Sequence, residues 1–413
     1  MSSDLKLPPR AWLVVALLWV VGCLNYLDRV ILTTMRGSVM AAIPMTEAQF
    51  GLLLSVFLWI YGLFSPLGGF LADRFNRSRV ILASLLVWSL VTFLTAFAST
   101  FTELLLTRAL MGLSEACYIP AALALITDYH RGPTRSLATG LHMSGLTIGA
   151  SLGGLGGWIS EHHGWQQAFL LFGGFGIIYG SILLLFLRDR TPQFPSSPNQ
   201  IVSAAPLPLT LLATLQGVVK LPAFLFALCH WALLGLAGWG IIGWMPTYLQ
   251  EHFHLPQGEA GLYASISVQI SMLIGMLVGG WWADRWSRVN ARARVSVVVV
   301  GMLLAGPGVM LAAQAHTLTL AICGLALFGL TKAFADANMM PIICTIVDHR
   351  MRATAYGILN FGSCIIGGLA PWLGGWLRDT HVDVNRLFMT AAILLWGCAA
   401  LLHQVKATAS EPR

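Results

Sequence analysis

Charge is what this sequence has least of. Only 10% of its 413 residues are Asp, Glu, Lys or Arg, and 57% are hydrophobic; a soluble domain carries roughly 25% charged residues. That shortage, with a mean hydropathy of +0.75, excludes a soluble globular enzyme and points to a chain solvated mainly by lipid. Other absences narrow the class. The seven cysteines fall in apolar runs and form no C-x-x-C pair, so the thiols read as small buried hydrophobes and not as a metal or disulfide set. There is no Walker A sequence, which argues against ATP drive from this chain, and there is no H-E-x-x-H or G-x-S-x-G. No enzyme activity, cofactor or metal is expected. The start, "MSSDLKLPPR", lacks a small-residue cleavage site, and the apolar run after it is long enough to span, so a removed signal peptide is not expected.

Long apolar runs are what the sequence does have. A spanning helix needs about 20 mostly apolar residues. Twelve runs qualify, at about 11–34, 50–72, 80–100, 102–127, 137–160, 165–187, 222–249, 260–283, 294–314, 318–347, 354–377 and 386–404. Helices are expected because lipid offers the backbone no partners. A β-barrel would show short alternating strands. "RDRTPQFPSSPNQIVSAAPLPLT", Arg188 to Thr210, is rich in Pro and Ser and divides the runs six and six. The fold expected is an all-α membrane protein with twelve transmembrane helices in two pseudo-symmetric six-helix bundles. The bundles cover 1–187 and 222–413, joined by a cytoplasmic linker over 188–221. Basic residues gather on one side, among them Arg74, Arg77, Arg79, Arg131, Arg135, Arg285, Arg288 and Arg294, whereas the loops of the other side hold only Arg36, Arg378 and Arg386. This positive-inside bias puts both termini in the cytoplasm of a multi-pass inner (plasma) membrane protein. The net charge of +7 therefore reports topology and not a nucleic-acid partner. Nothing in the sequence calls for an oligomer, and a monomer is expected.

The halves echo each other in three places. "GGFLADRFNRSR" from Gly68 and "GGWWADRWSR" from Gly279 each follow the second run of a half. "EACYIP" (Glu115 to Pro120) and "DANMMP" (Asp336 to Pro341) each place an acid five residues before a proline in the fourth run. "GGW" recurs at Gly156 and Gly374 in the fifth. This is the sign of a parallel duplication, as in carriers built around a midplane site. The G-x-x-x-D-R pattern from Gly69 to Arg74 resembles the signature loop of the major facilitator superfamily. "NYLDRVIL", "SVFLWIYGLFSPLGGFLADRF" and "TRALMGLSEACYIPA" resemble its anion:cation symporter branch, which includes bacterial hexonate and hexuronate carriers and sialin-type carriers. Spinster-type lipid carriers share a similar "NY-x-DR", so that motif leaves the substrate open between a sugar acid, a neutral sugar and an amphipathic lipid. A non-transporting sensor would be expected to carry an extra cytoplasmic domain or a long tail, and with tails of about ten residues each it is not the reading expected here.

Ionisable groups inside spans are costly and so are candidates for function. Six stand out: Asp28, Arg29, Arg108, Glu115, Lys332 and Asp336. At about 1.5 Å per residue, Arg29 and Arg108 lie at similar depth. Glu115, seven residues on, shares a face with Arg108 about 10 Å deeper. Guanidinium matches a carboxylate as a planar fork and stays charged, so Arg29 is the anion-binding candidate. Asp28 and Glu115 are the proton-coupling candidates, with Arg108 expected to offset burial of Glu115. The alternative is an ion-pair network that only holds spans 1 and 4 together. The resemblance implies the same roles for Arg29, Asp28 and Glu115. Lys332 and Asp336, spaced i, i+4, can bridge on one helix and read either as a self-neutralised pair or as a second charged wall. Tyr26 and Tyr61 match tyrosines that line the sugar-acid site in the branch, and Asn360 falls where it tends to place a polar cavity residue. His230 and Gln269 are further binding candidates, and His142, Asn338, Trp239 and Trp244 weaker ones. Gly69, Asp73 and Arg74, with Asp284 and Arg285 in the second half, read as gating residues at the cytoplasmic helix ends. The partners expected are a small organic anion, protons and the lipid bilayer.

Overall fold

The computed structural model describes residues 10–130, 134–189, 217–347 and 352–405, apart from the side chains of residues 69, 70, 72, 73, 135, 136 and 352–354. The linker expected over 188–221 falls almost wholly outside the described residues. In chain order the helices are α1 (Ala11–Thr34), α2 (Arg36–Ala42), α3 (Glu47–Arg74), α4 (Arg77–Thr95), α5 (Phe101–Glu115), α6 (Tyr118–Tyr129), α7 (Arg135–Leu152), α8 (Leu155–His163) and α9 (Trp165–Phe186) in the first half. The second half holds α10 (Pro222–His252), α11 (Gln257–Trp286), α12 (Ala293–Ala313), α13 (Leu318–Ile346), α14 (Arg352–Gly367), α15 (Leu369–Asp379) and α16 (Val384–His403). Four of them, α3, α4, α5 and α13, begin at a side chain that accepts from a free N–H group, among the described residues. Thr46 with Gln49 and Thr100 with Glu103 form reciprocal capping boxes at α3 and α5. Pro222 opens α10 at a position where no N–H is needed.

Among the described residues these helices make twelve crossings, three of them from two helices end to end: α5 with α6, α7 with α8, and α14 with α15. Eleven crossings are long and apolar enough to span by themselves. The fifth, α7–α8, is broken at Gly153–Gly154 and carries Thr139, His142, Ser144, Thr147 and Ser151. Its polar face is not lipid-facing: α7 packs along α1 and α11. The fourth breaks for a different reason. Pro120 has no N–H for the Ala116 carbonyl, and α3 presses on that turn: a Cβ on Gly68 would stand 2.4 Å from the Ala116 oxygen.

The two halves meet along two seams. In one, α3 packs on α14 and α15; in the other, α11 packs on α7 and α8. The echoed motifs make α3 the counterpart of α11, and α7–α8 the counterpart of α14–α15, so the seams are copies of each other. Most polar bonds across the seams lie toward the end of the bundle opposite the termini, among the described residues; deeper, Trp59 Nε1 donates to the Ile365 carbonyl at 3.0 Å and the Trp372 amide to the Ser55 hydroxyl at 3.1 Å. At the end opposite the termini Asp379 accepts from the Glu47 and Ala48 amides, both at 2.9 Å, and Glu161 accepts from the Gly258 amide at 2.9 Å. Ser38 and Gln257 exchange two bonds, and Arg36, Glu47, Glu251 and Arg378 form a ring of ion pairs. Burial and then Arg378 pull the Arg36 guanidinium down to about 10, so it keeps its charge near neutral pH.

Candidate functional site

Arg29 lies on α1 at the middle of the bundle with its side chain 4% exposed. Its Nε donates to Glu115 Oε2 at 3.0 Å. Three aromatic rings surround the guanidinium: its carbon is 4.2 Å from the centre of the Tyr61 ring, 4.7 Å from Tyr26 and 5.3 Å from Phe57. Such desolvated contacts stabilise a cation by about 2 kcal/mol in favourable cases. The ring faces supply no acceptor, and Nη2 is buried without a hydrogen-bond partner among the described residues. A buried donor without a partner costs about 1–3 kcal/mol, so the site favours a ligand that brings an acceptor.

Glu115 sits at the last turn of α5, fully buried. Its Oε2 also accepts from Asn25 Nδ2 at 2.9 Å, while Oε1 has no partner. Asn25 and Arg29 are one helical turn apart on α1, so both reach the same oxygen. Asp28 points elsewhere, as adjacency on a helix requires. Its Oδ2 accepts from Thr92 on α4 at 3.3 Å, and Oδ1 is buried and unpartnered. Thus each of the two carboxylates keeps one free oxygen in a buried place.

Arg108 stands on the same face of α5 as Glu115, two turns away. It forms no ion pair among the described residues, with Glu115 or with Asp28. It donates instead to the backbone carbonyls of Asp28 at 3.3 Å and Leu53 at 3.5 Å, and its carbon lies 4.8 Å from the Phe57 ring. The seven-residue spacing from Glu115 puts the two on one face but two turns apart, beyond the reach of a bond. Arg108 acts on Glu115 only through space, and it ties α1, α3 and α5 together. The guanidiniums of Arg29 and Arg108 thus both bear on Phe57, and the small cavity beside them is lined by Thr33, Leu54, Trp239 and Pro371 among others.

The second half supplies a wall of different character. Lys332 Nζ holds both oxygens of Asp336 at 3.0 and 2.8 Å, with the side chains 16% and 22% exposed. Tyr356 on α14 is within electrostatic reach of Asp336, Tyr26 and Tyr61, and Cys364 on the same helix is within reach of Arg29. Asn360 lies between them at the same four-residue spacing, partly buried on that face. The structure therefore brings Arg29, Tyr26, Tyr61, Glu115, Asp28 and Arg108 together, with Lys332, Asp336 and the α14 stripe opposite.

Other candidates stand apart. His230 is buried in the seam of α10 and α16, where Nδ1 lies 2.9 Å from the Cys398 carbonyl. Gln269 is buried on α11 and makes no hydrogen bond to the Arg29 group. His142 lies against α1 beside Gly22, with neither ring nitrogen partnered among the described residues. Asn338 bonds the Gly279 and Phe334 carbonyls, and Trp244 donates to the Pro371 carbonyl. Of the residues expected to gate, Gly69 and Asp73 have side chains outside the described residues. Arg74 is exposed in the last turn of α3. Asp284 pairs with Arg294 at 2.7 Å, and Arg285 lines a surface groove with Trp281, Trp282 and Trp286. Sequence reasoning missed Asn25, Thr92, Phe57 and Tyr356. Only Asn25 left a signal, its four-residue offset from Arg29.

The chain belongs to the Major Facilitator Superfamily, whose sequence model matches residues 18–371 and 265–411. It is a secondary transporter by that membership. It is 26% identical to an "MFS-type efflux pump" of Mycolicibacterium smegmatis over 92% of this chain and 87% of that one. It is 25% identical to a "Probable L-galactonate transporter" of Escherichia coli K12 over 100% of this chain and 96% of that one. A solved bacterial homologue of the human lysosomal transporter Spinster, inward-facing and occupied, superposes with a TM-score of 0.79 at 21% identity, covering 96% of this chain and 97% of the other. That structural likeness establishes the fold.

Proposed function

We propose that the protein carries an organic anion, a sugar acid such as a hexonate or hexuronate, across the inner membrane together with a proton. The observation that carries this reading is the Arg29 guanidinium: caged by three rings, bound to Glu115 on one edge, and holding a buried donor with no partner on another. A carboxylate is the acceptor that fits a guanidinium edge. The buried cluster of Asp28, Arg29, Arg108 and Glu115 is balanced when both acids are ionised. An arriving carboxylate adds one negative charge in a poorly hydrated place, where an unbalanced charge is costly. A proton arriving on Glu115 or Asp28 restores the balance, and each acid has a free oxygen to receive it. Protonated Glu115 also loosens its hold on Arg29, which frees the fork for substrate. Tyr26, Tyr61 and Asn360 are placed to meet hydroxyl groups and the carbon face of a sugar. With both termini in the cytoplasm, the bonded end is the outer one. The exposure of Lys332, Asp336 and Tyr356 then belongs to an inward-facing state. The similarity to a named galactonate carrier supports the substrate class.

The test is a thermal-shift screen of the purified protein against sugar acids, their neutral parent sugars and lysolipids at about pH 5.5 and about pH 7.5, since a ligand of the folded state raises the melting temperature. A sugar acid is expected to stabilise the wild type, more strongly at the lower pH, and to have no effect on Arg29→Ala. Equal stabilisation of both proteins by a neutral sugar or a lysolipid would overturn the anion reading.

A further inference from the structure

The repeated "GGW" has no role in the binding site, yet its two copies meet the opposite half in the same way. Written out, they are "GGWISE" (Gly156 to Glu161) and "GGWLRD" (Gly374 to Asp379). Each ends in an acid at the same place. Glu161, at the end of α8, accepts from the Gly258 amide in the first turn of α11. Asp379, at the end of α15, accepts from the Glu47 and Ala48 amides in the first turn of α3. The helices they cap are themselves counterparts. The glycines serve the same seam: a Cβ on Gly375 would stand 2.0 Å from the Glu47 carbonyl oxygen, and one on Gly157 2.8 Å from the Gln257 carbonyl oxygen.

The first N–H groups of a helix are unsatisfied by the helix itself, and a carboxylate there also meets the positive end of the helix dipole. Here each cap comes from the other half of the molecule. We infer that Glu161 and Asp379 are a reciprocal latch: each half caps the helix of the second crossing of its partner half, and both caps must be released before the outer end opens. The two copies are unequal. Asp379 holds two amides and stands beside Arg378, whose ion pairs to Glu47 and Glu251 reinforce the same seam. Glu161 holds one amide and is supported by the uncharged Ser38–Gln257 pair. Opening is therefore expected to begin on the Glu161 side. The inference rests on rocking of the halves and not on the identity of the substrate.

The experiment places spin labels at Ala42→Cys and Thr380→Cys, exposed positions in opposite halves at the latched end. The exposed native Cys229 and Cys323 are replaced by serine. Distances are read by pulsed electron resonance without substrate. Glu161→Ala and Asp379→Ala are each expected to raise the ratio of long to short distance about fivefold or more, the loss of one helix cap. Asp379→Ala should give the larger change, and the double variant the product of the two. Asp379→Asn keeps an acceptor and should stay near the wild type. An unchanged ratio in the double variant, with its thermal melt intact, would overturn the latch. So would Asp379→Asn behaving as Asp379→Ala, which would leave the charge of Asp379, and not the bonds it accepts from the α3 amides, as what holds this end. A second label pair, Arg79→Cys with Val289→Cys, reports the other end. A single unchanging distance there with and without a sugar acid would count against the transport reading, whatever the latch variants do.

Discussion

The fourth crossings of the two halves began as the same segment and now treat their acid in opposite ways. Glu115 and Asp336 both stand five residues before a proline. Glu115 is fully buried and its partners come from another helix, 86 and 90 residues back along the chain. Asp336 is partly exposed, and its partner is one turn away on its own helix. The first arrangement depends on how α1 and α5 are placed, so it senses anything that moves or neutralises either one. The second travels with α13 and senses only what enters the cavity. Duplication supplied two acids; the cross-helix one is suited to coupling and the same-helix one to lining.

The largest expected effect comes from breaking the cross-helix arrangement. Arg29→Ala should lower affinity for a sugar acid by about 100-fold or more, the loss of a charge-assisted hydrogen-bonded pair, read by titration calorimetry. Left without its cation, Glu115 should also cost the fold about 3–5 kcal/mol, visible in chemical denaturation. Glu115→Gln comes next. It keeps a neutral acceptor for Asn25 but has no proton to gain, so uptake into liposomes should lose its dependence on an imposed proton gradient while binding survives. Uptake that still follows the gradient would move the coupling role to Asp28. Asn25→Ala removes one of the two bonds that fix Glu115 Oε2. It should weaken substrate binding about tenfold and shift the pH profile, a change that simple loss of packing would not give. The smallest effects should come from the same-helix pair. A partly exposed i, i+4 bridge is worth about 0.3–0.5 kcal/mol, so Lys332→Met with Asp336→Asn should leave stability almost unchanged. Its signature is specificity: relative affinities among sugar acids of different hydroxyl pattern should change, measured by competition. If the double variant melts as low as Arg29→Ala, the contrast between the two halves is wrong.

The crossings were legible because lipid allows a spanning backbone one solution, and apolar length records it. The fifth was harder, since α7 buries its Thr and Ser residues against α1 and α11 and no window of it is strongly apolar. In the site, Asp28, Arg29 and Glu115 were visible as charges where none is cheap. The partner of Arg108 was not visible, because spacing fixes the face of a helix and not the distance across it, and backbone carbonyls carry no sequence signature. Thr92 and Phe57 read as ordinary span residues until α4 and α3 are brought against α1.

Among the described residues the ion pairs at mid-depth, Arg29 with Glu115 and Lys332 with Asp336, each lie within a single half. At the capped end Arg36 reaches Glu251 and Arg378 reaches Glu47, from one half to the other. Rocking the halves thus separates no opposite charges in the dry middle of the membrane; it separates them only near the rim, where dissolved ions screen what is parted. Added salt should accordingly speed the turnover of the empty carrier and leave the hold of the central arginine on its cargo almost untouched.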